Sequence, residues 1–149
     1  MTNRIIVLDT TPLGLLTHPG SSTTVLACQQ WLAAQLAFGA RVVVPEIADY
    51  ELRRELLRAD KLLGLARLEQ LIQQTEYLPL TTQAMRQAAH IWAQARRQGK
   101  PTAADHLLDG DIILAAQAIT LNEPGVIVAT ENVRHLARFV LADLWQNVA

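Results

Sequence analysis

Acidic side chains are distributed along this 149-residue chain in a pattern that chemistry could use. Asp9 directly follows the apolar run Ile5-Ile6-Val7-Leu8, and Glu46, Asp49 and Glu51 follow Val42-Val43-Val44. Asp109 and Asp111 head an alanine- and isoleucine-rich stretch, and Thr130, Glu131 and Asn132 come just after Val126-Ile127-Val128. Carboxylates gathered in one cleft repel each other and lose solvation, so some would hold protons unless a cation joined them. Hard divalent ions such as Mg²⁺ and Mn²⁺ take oxygen ligands and keep part of their water. A site of that kind can activate a water and clamp a phosphodiester during in-line attack.

The elements that would position these acids follow from hydrophobic patterning. Residues 5–8 read as a strand apolar on both faces, which suits a buried parallel sheet. Thr10-Thr11-Pro12 opens a short helix through Leu16, since proline suits a first turn. Residues 18–24 are a loop. Residues 25–38 have helical periodicity, with Leu26, Trp31, Leu32 and Leu36 as core candidates and Gly39 as the stop. Residues 42–44 form the second strand, and helices cover 47–59, with Ala48, Leu52 and Ala59 inward, and 62–73. Residues 77–80 are a short extended piece. Thr81 caps a helix over 83–98 that Gly99 ends, 100–108 are a loop, and 111–120 are a helix. Residues 126–128 form the third strand, and the segment from Val133 holds a short helix and an edge strand.

Strands alternating with helices give an α/β class with a small central parallel sheet. Three strands are clear and one or two more are short. In open parallel sheets ligands bind outside the carboxyl ends of the strands. Four separate segments therefore deliver carboxylate or carboxamide groups towards one edge of one sheet.

Composition narrows the classes. With 50% hydrophobic residues and a net charge of -1, the chain is not disordered. A single cysteine, Cys28, excludes an intrachain disulfide and suits a reducing compartment. Thirteen basic residues meet fourteen acidic ones, so phosphate contacts would have to be local. No apolar stretch approaches the ~20 residues that span a bilayer, and no leader pattern is evident, so a soluble cytoplasmic product is expected. Without a linker, a repeat or a low-complexity tract, residues 1–149 read as one domain. No Ser-His-Asp or Cys-His arrangement, zinc-ligand spacing or glycine-rich phosphate loop is present.

Each candidate also has a structural role open to it. Asp9 can cap the next helix. Asp111 can stabilise a first helical turn through the dipole, but its helix is apolar on most faces, which places that acid at the mouth of a buried element. Asp109 reads as the N-cap, with a metal or water role as the alternative, and Asp105 is a further rival. Glu51 competes with Glu46, an alternate ligand, and with Glu55, which lies on the solvated face with Arg58. Arg53 and Arg54 could meet substrate phosphates or pair with Glu55 or Asp49. Arg96, Arg97 and Lys100 form a basic helix end that suits the dipole. His135 could move a proton near Asn132 or simply pack.

These residues resemble the PIN-domain ribonucleases, and are similar in particular to the VapC toxins of bacterial toxin–antitoxin pairs. The likeness is carried by Val7-Leu8-Asp9-Thr10, by Val44-Pro45-Glu46-Ile47-Ala48-Asp49-Tyr50-Glu51-Leu52-Arg53-Arg54, by Leu108-Asp109-Gly110-Asp111-Ile112-Ile113-Leu114-Ala115-Ala116, and by Ala129-Thr130-Glu131-Asn132. It runs over nearly the whole chain. It implies a PIN-like three-layer fold and a Mg²⁺- or Mn²⁺-dependent endoribonuclease acting on single strands. Asp9, Glu51 and Asp111 would be the acids and metal ligands, supported by Thr130 and by Asn132, which stands where a fourth acid is common. Thr11 stands where many relatives carry asparagine. The resemblance further implies a cognate antitoxin and a homodimer.

Two other readings compete. Asn132 keeps open a catalytically weakened PIN-like protein that binds RNA or a partner. A receiver-like phosphorylation switch would want an acidic pair after the first strand and a late lysine, whereas Asp9 stands alone and Arg134 is the nearest late base. The leucines at 56, 57, 62, 63 and 65 crowd one region, suiting self-association, an antitoxin groove or an internal helix hairpin.

Overall fold

A computed structural model describes residues 3–98 and 105–149, excepting the side chains of 105–108. The elements run β1 (Ile5–Leu8), α1 (Thr10–Thr17), α2 (Thr23–Ala37), β2 (Arg41–Pro45), α3 (Glu46–Arg58), α4 (Leu62–Gln74) and β3 (Glu76–Leu78). They continue with α5 (Thr82–Arg97), α6 (Asp105–Thr120), β4 (Val126–Thr130), α7 (Val133–Leu136), β5 (Ala142–Leu144) and a 3-10 turn at Trp145–Asn147.

The five strands form one sheet in the order β3-β2-β1-β4-β5, with every pairing parallel. The apolar runs are explained by burial on both faces. Alternate residues serve opposite layers, as a strand's period of two requires. Ile6, Leu8, Val42, Val44, Ile127 and Ala129 face one core, shared with Leu13 and Leu16 of α1, Cys28 and Leu32 of α2, and Leu68 and Leu71 of α4. Ile5, Val7, Val43 and Val128 face the other, shared with Ala88 and Ile91 of α5 and Ile112, Leu114 and Ala115 of α6. Helix α3 joins both layers, with Ala48 in the first and Ile47 in the second.

The sheet therefore has a helical layer on each side, which is the α/β three-layer architecture expected from the sequence. Among the described residues no helix is long and apolar enough to cross a membrane. Caps appear where hydroxyl residues precede helices. Val25 N–H donates to Ser22 Oγ at 3.2 Å and Ala84 N–H to Thr81 Oγ1 at 3.0 Å. Gly39 closes α2 at φ 88°, in the left-handed region where a missing Cβ removes the clash.

Four expectations need correction. Residues 105–108 are helical rather than loop, because α6 begins at Asp105, not Asp111. Asp109 is therefore inside the helix and is not its N-cap. Leu26 and Leu36 are exposed, because the buried stripe of α2 is Val25, Cys28, Leu32 and Gln35. Gln35 can be buried because its amide donates to Val148 O at 3.2 Å, beside Trp31 Nε1, which donates to the same carbonyl at 2.8 Å. Ala59 is exposed at the end of α3 rather than inward. The expected helix stop at Gly99 and the loop at 100–104 lie outside the described residues.

Candidate functional site

The order of strands makes a topological switch point where β1 and β4 lie side by side while the chain winds away from them in opposite directions. That switch point, beyond the strands' carboxyl ends, is where an open parallel sheet can hold a ligand. Asp9 leaves β1 there and Thr130 ends β4, and the Thr130 hydroxyl donates to Asp9 Oδ2 at 2.7 Å. Asp9 also caps α1, since Thr10 N–H donates to Oδ1 at 2.7 Å. Its capping role and its place in a cluster are thus both real, one for each carboxylate oxygen.

Two further acids meet it. Glu51, one turn into α3, accepts from the Thr10 hydroxyl at 2.9 Å. Asp111, in the second turn of α6, accepts from Asn132 Nδ2 at 2.7 Å. Asn132 is fixed in turn, because its N–H donates to Thr130 Oγ1 at 2.8 Å. Its Nδ2 also lies 3.1 Å from His135 Nδ1, and that nitrogen is 3.7 Å from Asp111 Oδ2. Asp9, Glu51, Asp111, Thr130 and Asn132, from four segments of the sequence, are thus linked by hydrogen bonds and charge at one sheet edge.

Electrostatics show the cost of this gathering. Burial pushes the Asp9 carboxyl up, offset in part by the Thr130 and Thr10 donors. Asp111 is pushed up to about 6, first by burial and then by the Asp9 charge, with Glu51 adding to it and His135 opposing it. Among the described residues no lysine or arginine is ion-paired with these three acids. The donors are all hard oxygens, which suit Mg²⁺ or Mn²⁺. No group of three or more described His, Cys, Asp or Glu side chains is close enough together to hold an ion directly. Hard oxygen donors of this kind suit a cation that keeps several waters and takes one or two carboxylates, as Mg²⁺ does.

The rival acids go elsewhere. Glu46 accepts from Leu80 N–H at 2.6 Å, which ties α3 to the end of β3. Asp49 accepts from Tyr77 Oη at 2.8 Å and from Arg53 Nε at 3.0 Å. Glu131 turns away to accept from Trp145 Nε1 at 3.0 Å, and Asp109 is exposed. The side chain of Asp105 lies outside the described residues. Arg53 is held between Asp49, at 2.9 Å, and Glu69, at 2.5 Å, so it is an internal strut of α3 and α4. Arg54 is exposed, with its guanidinium 5.1 Å from the centre of the Tyr50 ring.

Two supporting residues escaped the sequence reading. Thr10 bridges Asp9 and Glu51, and a hydroxyl beside a candidate acid was the available signal. Gln117 is fully buried on α6; Ile47 N–H donates to its Oε1 at 3.1 Å, and its Nε2 donates to Leu78 O at 2.9 Å. Pro45 gives α3 no side-chain cap, so Gln117 supplies the acceptor from another element. One amide inside the apolar run Ile-Ile-Leu-Ala-Ala-Gln-Ala-Ile was its signal.

Comparison with known proteins agrees with this architecture. A family model described as PIN domain matches residues 6–139. No curated protein matches the sequence significantly. Among solved structures, VapBC2 from Rickettsia felis, bound to a promoter DNA fragment, superposes with TM-score 0.70 at 14% identity, over 95% of this chain and 98% of that one. VapBC-1 from nontypeable Haemophilus influenzae gives 0.69 at 18%, over 96% and 99%. DNA-bound VapBC from Salmonella typhimurium gives 0.69 at 22%, over 97% and 99%. At such identities the superpositions establish a shared fold.

Proposed function

This chain belongs to the PIN domain family, and from that we propose that it is a Mg²⁺- or Mn²⁺-dependent endoribonuclease, the toxin of a toxin–antitoxin pair. One observation carries the reading. Asp9, Glu51 and Asp111 come from three distant segments, and burial, with the charges of the first two, pushes the third up to about 6. Carboxylates perturbed by burial and by each other's charge are candidates for a functional site.

Asp9 and Asp111 would hold the ion, with Glu51 reaching it through water. A bound divalent cation would supply Lewis-acid polarisation of the scissile phosphate and a nucleophilic water near neutral pH. The chain's own groups do the positioning. Thr130 holds Asp9 Oδ2, and Asn132 holds Asp111 Oδ2. Glu51, oriented by the Thr10 hydroxyl, directs the attacking water towards phosphorus. Arg54, exposed on α3, is the better placed of the two arginines to meet RNA phosphate, since Arg53 is already paired.

The solved neighbours are VapBC complexes, and on that analogy an antitoxin protein is the proposed partner; a homodimer and a cytoplasmic location are proposed from the family resemblance. Exposed Leu57, Leu62 and Leu63 supply apolar surface for such contacts.

RNA cleavage by the purified chain, with and without chelator, tests the activity. Wild type should cut RNA only with Mg²⁺ or Mn²⁺, and Asp9→Ala and Asp111→Ala should not cut while remaining folded. Equal cutting by all three would refute the assignment. A second reading, a PIN-like protein that binds RNA or a partner without cutting it, is favoured by Asn132, whose amide spends its donor on Asp111 where a fourth acid could ligate. It predicts RNA binding with no metal-dependent shift in melting temperature.

A further inference from the structure

Gly110 lies on α6 between Asp109 and Asp111, in ordinary helical backbone with no left-handed φ to explain a glycine. Glycine in a helix is otherwise unfavourable, because it costs the most backbone entropy. The reason is found across the interface with α3. A Cβ at position 110 would come within 2.5 Å of Glu51 Oε2 and 3.2 Å of its Cδ. The Glu51 carboxylate therefore occupies the space that a side chain on α6 would fill. Its other oxygen accepts from Thr10 at 2.9 Å, so the group is clamped between α1 and the bare turn of α6. Helical Gly14 differs, since a Cβ there would meet only Leu52 Cδ1 at an ordinary 3.6 Å.

We propose that Gly110 is a positioning residue: its missing side chain seats the Glu51 carboxylate against α6 beside Asp111 and so sets the spacing of the acids. The seat is read from geometry alone, while its consequence for catalysis rests on the nuclease reading above. The atom that would collide is the far end of a flexible side chain. A methyl group at 110 should therefore displace Glu51 and leave the fold standing.

Gly110→Ala is the test. In chelator its melting temperature should equal or exceed that of wild type, because alanine favours the helix. A crystal structure of the chelated variant should show Glu51 withdrawn from α6 and its contact with Thr10 altered. Mn²⁺ affinity, measured by calorimetry, should fall about 10- to 100-fold, as for lost supporting groups at metal sites, and kcat should fall more than KM changes. Glu51→Asp, one methylene shorter, should weaken Mn²⁺ binding in wild type but improve it in the Gly110→Ala background. A Gly110→Ala structure with Glu51 unmoved, a lowered melting temperature in chelator, or wild-type Mn²⁺ affinity would overturn the proposal. Wild type that binds no Mn²⁺ would defeat the nuclease reading instead, and the position of Glu51 in the chelated variant would still decide the role of Gly110.

Discussion

Carboxylates gather at both ends of the same sheet, and the two gatherings are managed in opposite ways. At the amino end, Arg41 of β2 lies between Glu76 and Glu123, with contacts of 2.8 and 2.7 Å. The guanidinium holds Glu76 below the usual carboxylate range, and all three side chains are nearly half exposed. At the carboxyl end, Asp9 and Asp111 are largely buried, and no described arginine or lysine pairs with them. Both are pushed upward. Two glutamates in water received an arginine from the chain, whereas among the described residues the buried acids received neither arginine nor lysine, and Asp111 has only His135, 3.7 Å away, beside it. Burial makes uncompensated charge more costly, so the end left unpaired is the end where the cost is higher. That inversion is the physical argument for a functional site.

The largest expected effect comes from removing one charge at the carboxyl end. Asp111→Asn should lower metal-dependent cleavage by roughly 10²- to 10³-fold, the usual loss when one preorganised electrostatic group at a reacting centre is removed. Cleavage assays at saturating Mg²⁺ would measure it.

Next comes the cation itself. At about 100 times its dissociation constant, Mg²⁺ or Mn²⁺ should stabilise wild type by about 2.7 kcal/mol, reversibly with chelator. Calorimetry should show this shift in wild type and little of it in Asp111→Asn. An equal shift in both proteins would place the ion elsewhere.

The pH dependence has a definite sign. An acid whose folded-state pKa lies above its unfolded value makes the folded protein the stronger proton binder between the two. For Asp111 the window runs from 3.8 to about 6. Its contribution to stability therefore declines as pH rises through that window and stays low above it. Asp111→Asn should be about 1–3 kcal/mol more stable than wild type at about pH 7.5, with the gain vanishing near pH 4. Metal binding should weaken as pH falls through about 6, because the carboxylate is then protonated.

Gln117→Leu should cost about 1–3 kcal/mol, because it leaves Ile47 N–H and Leu78 C=O without their partner. Urea unfolding would measure this. Arg41→Ala, at the opposite end, should cost under about 1 kcal/mol, and less at high salt, because its pairs are exposed. A larger loss there than at Gln117 would undo the contrast between the buried and the solvated end.

Legibility in the sequence followed periodicity. The strands at β1, β2 and β4 are short, β-branched apolar runs, and their length and residue types favour a sheet buried on both faces over a buried helix. Strands β3 and β5 have three residues each, too short for any period to show. Asp9 stood out because it follows such a run directly. The start of α6 was obscured by Asp109-Gly110-Asp111, which looks locally like a loop and a cap. The helix passes straight through it, and a side chain from α3 lies in the space the glycine leaves. Arg53 was open to two uses, and the one it takes depends on Glu69 of α4, sixteen positions away.

By itself the sequence determined the alternation of strand and helix and the acids that follow the strands. These are local properties, written in runs, caps and residue types. Only the tertiary structure decided which acids meet, that Glu46 and Asp49 are consumed by Leu80, Tyr77 and Arg53, and that Asn132 and Thr130 orient the two aspartates. Those outcomes depend on strand order and helix packing. A carboxylate's role is set by the donors and charges within a few ångströms, and these come from segments as far apart as residues 9 and 130.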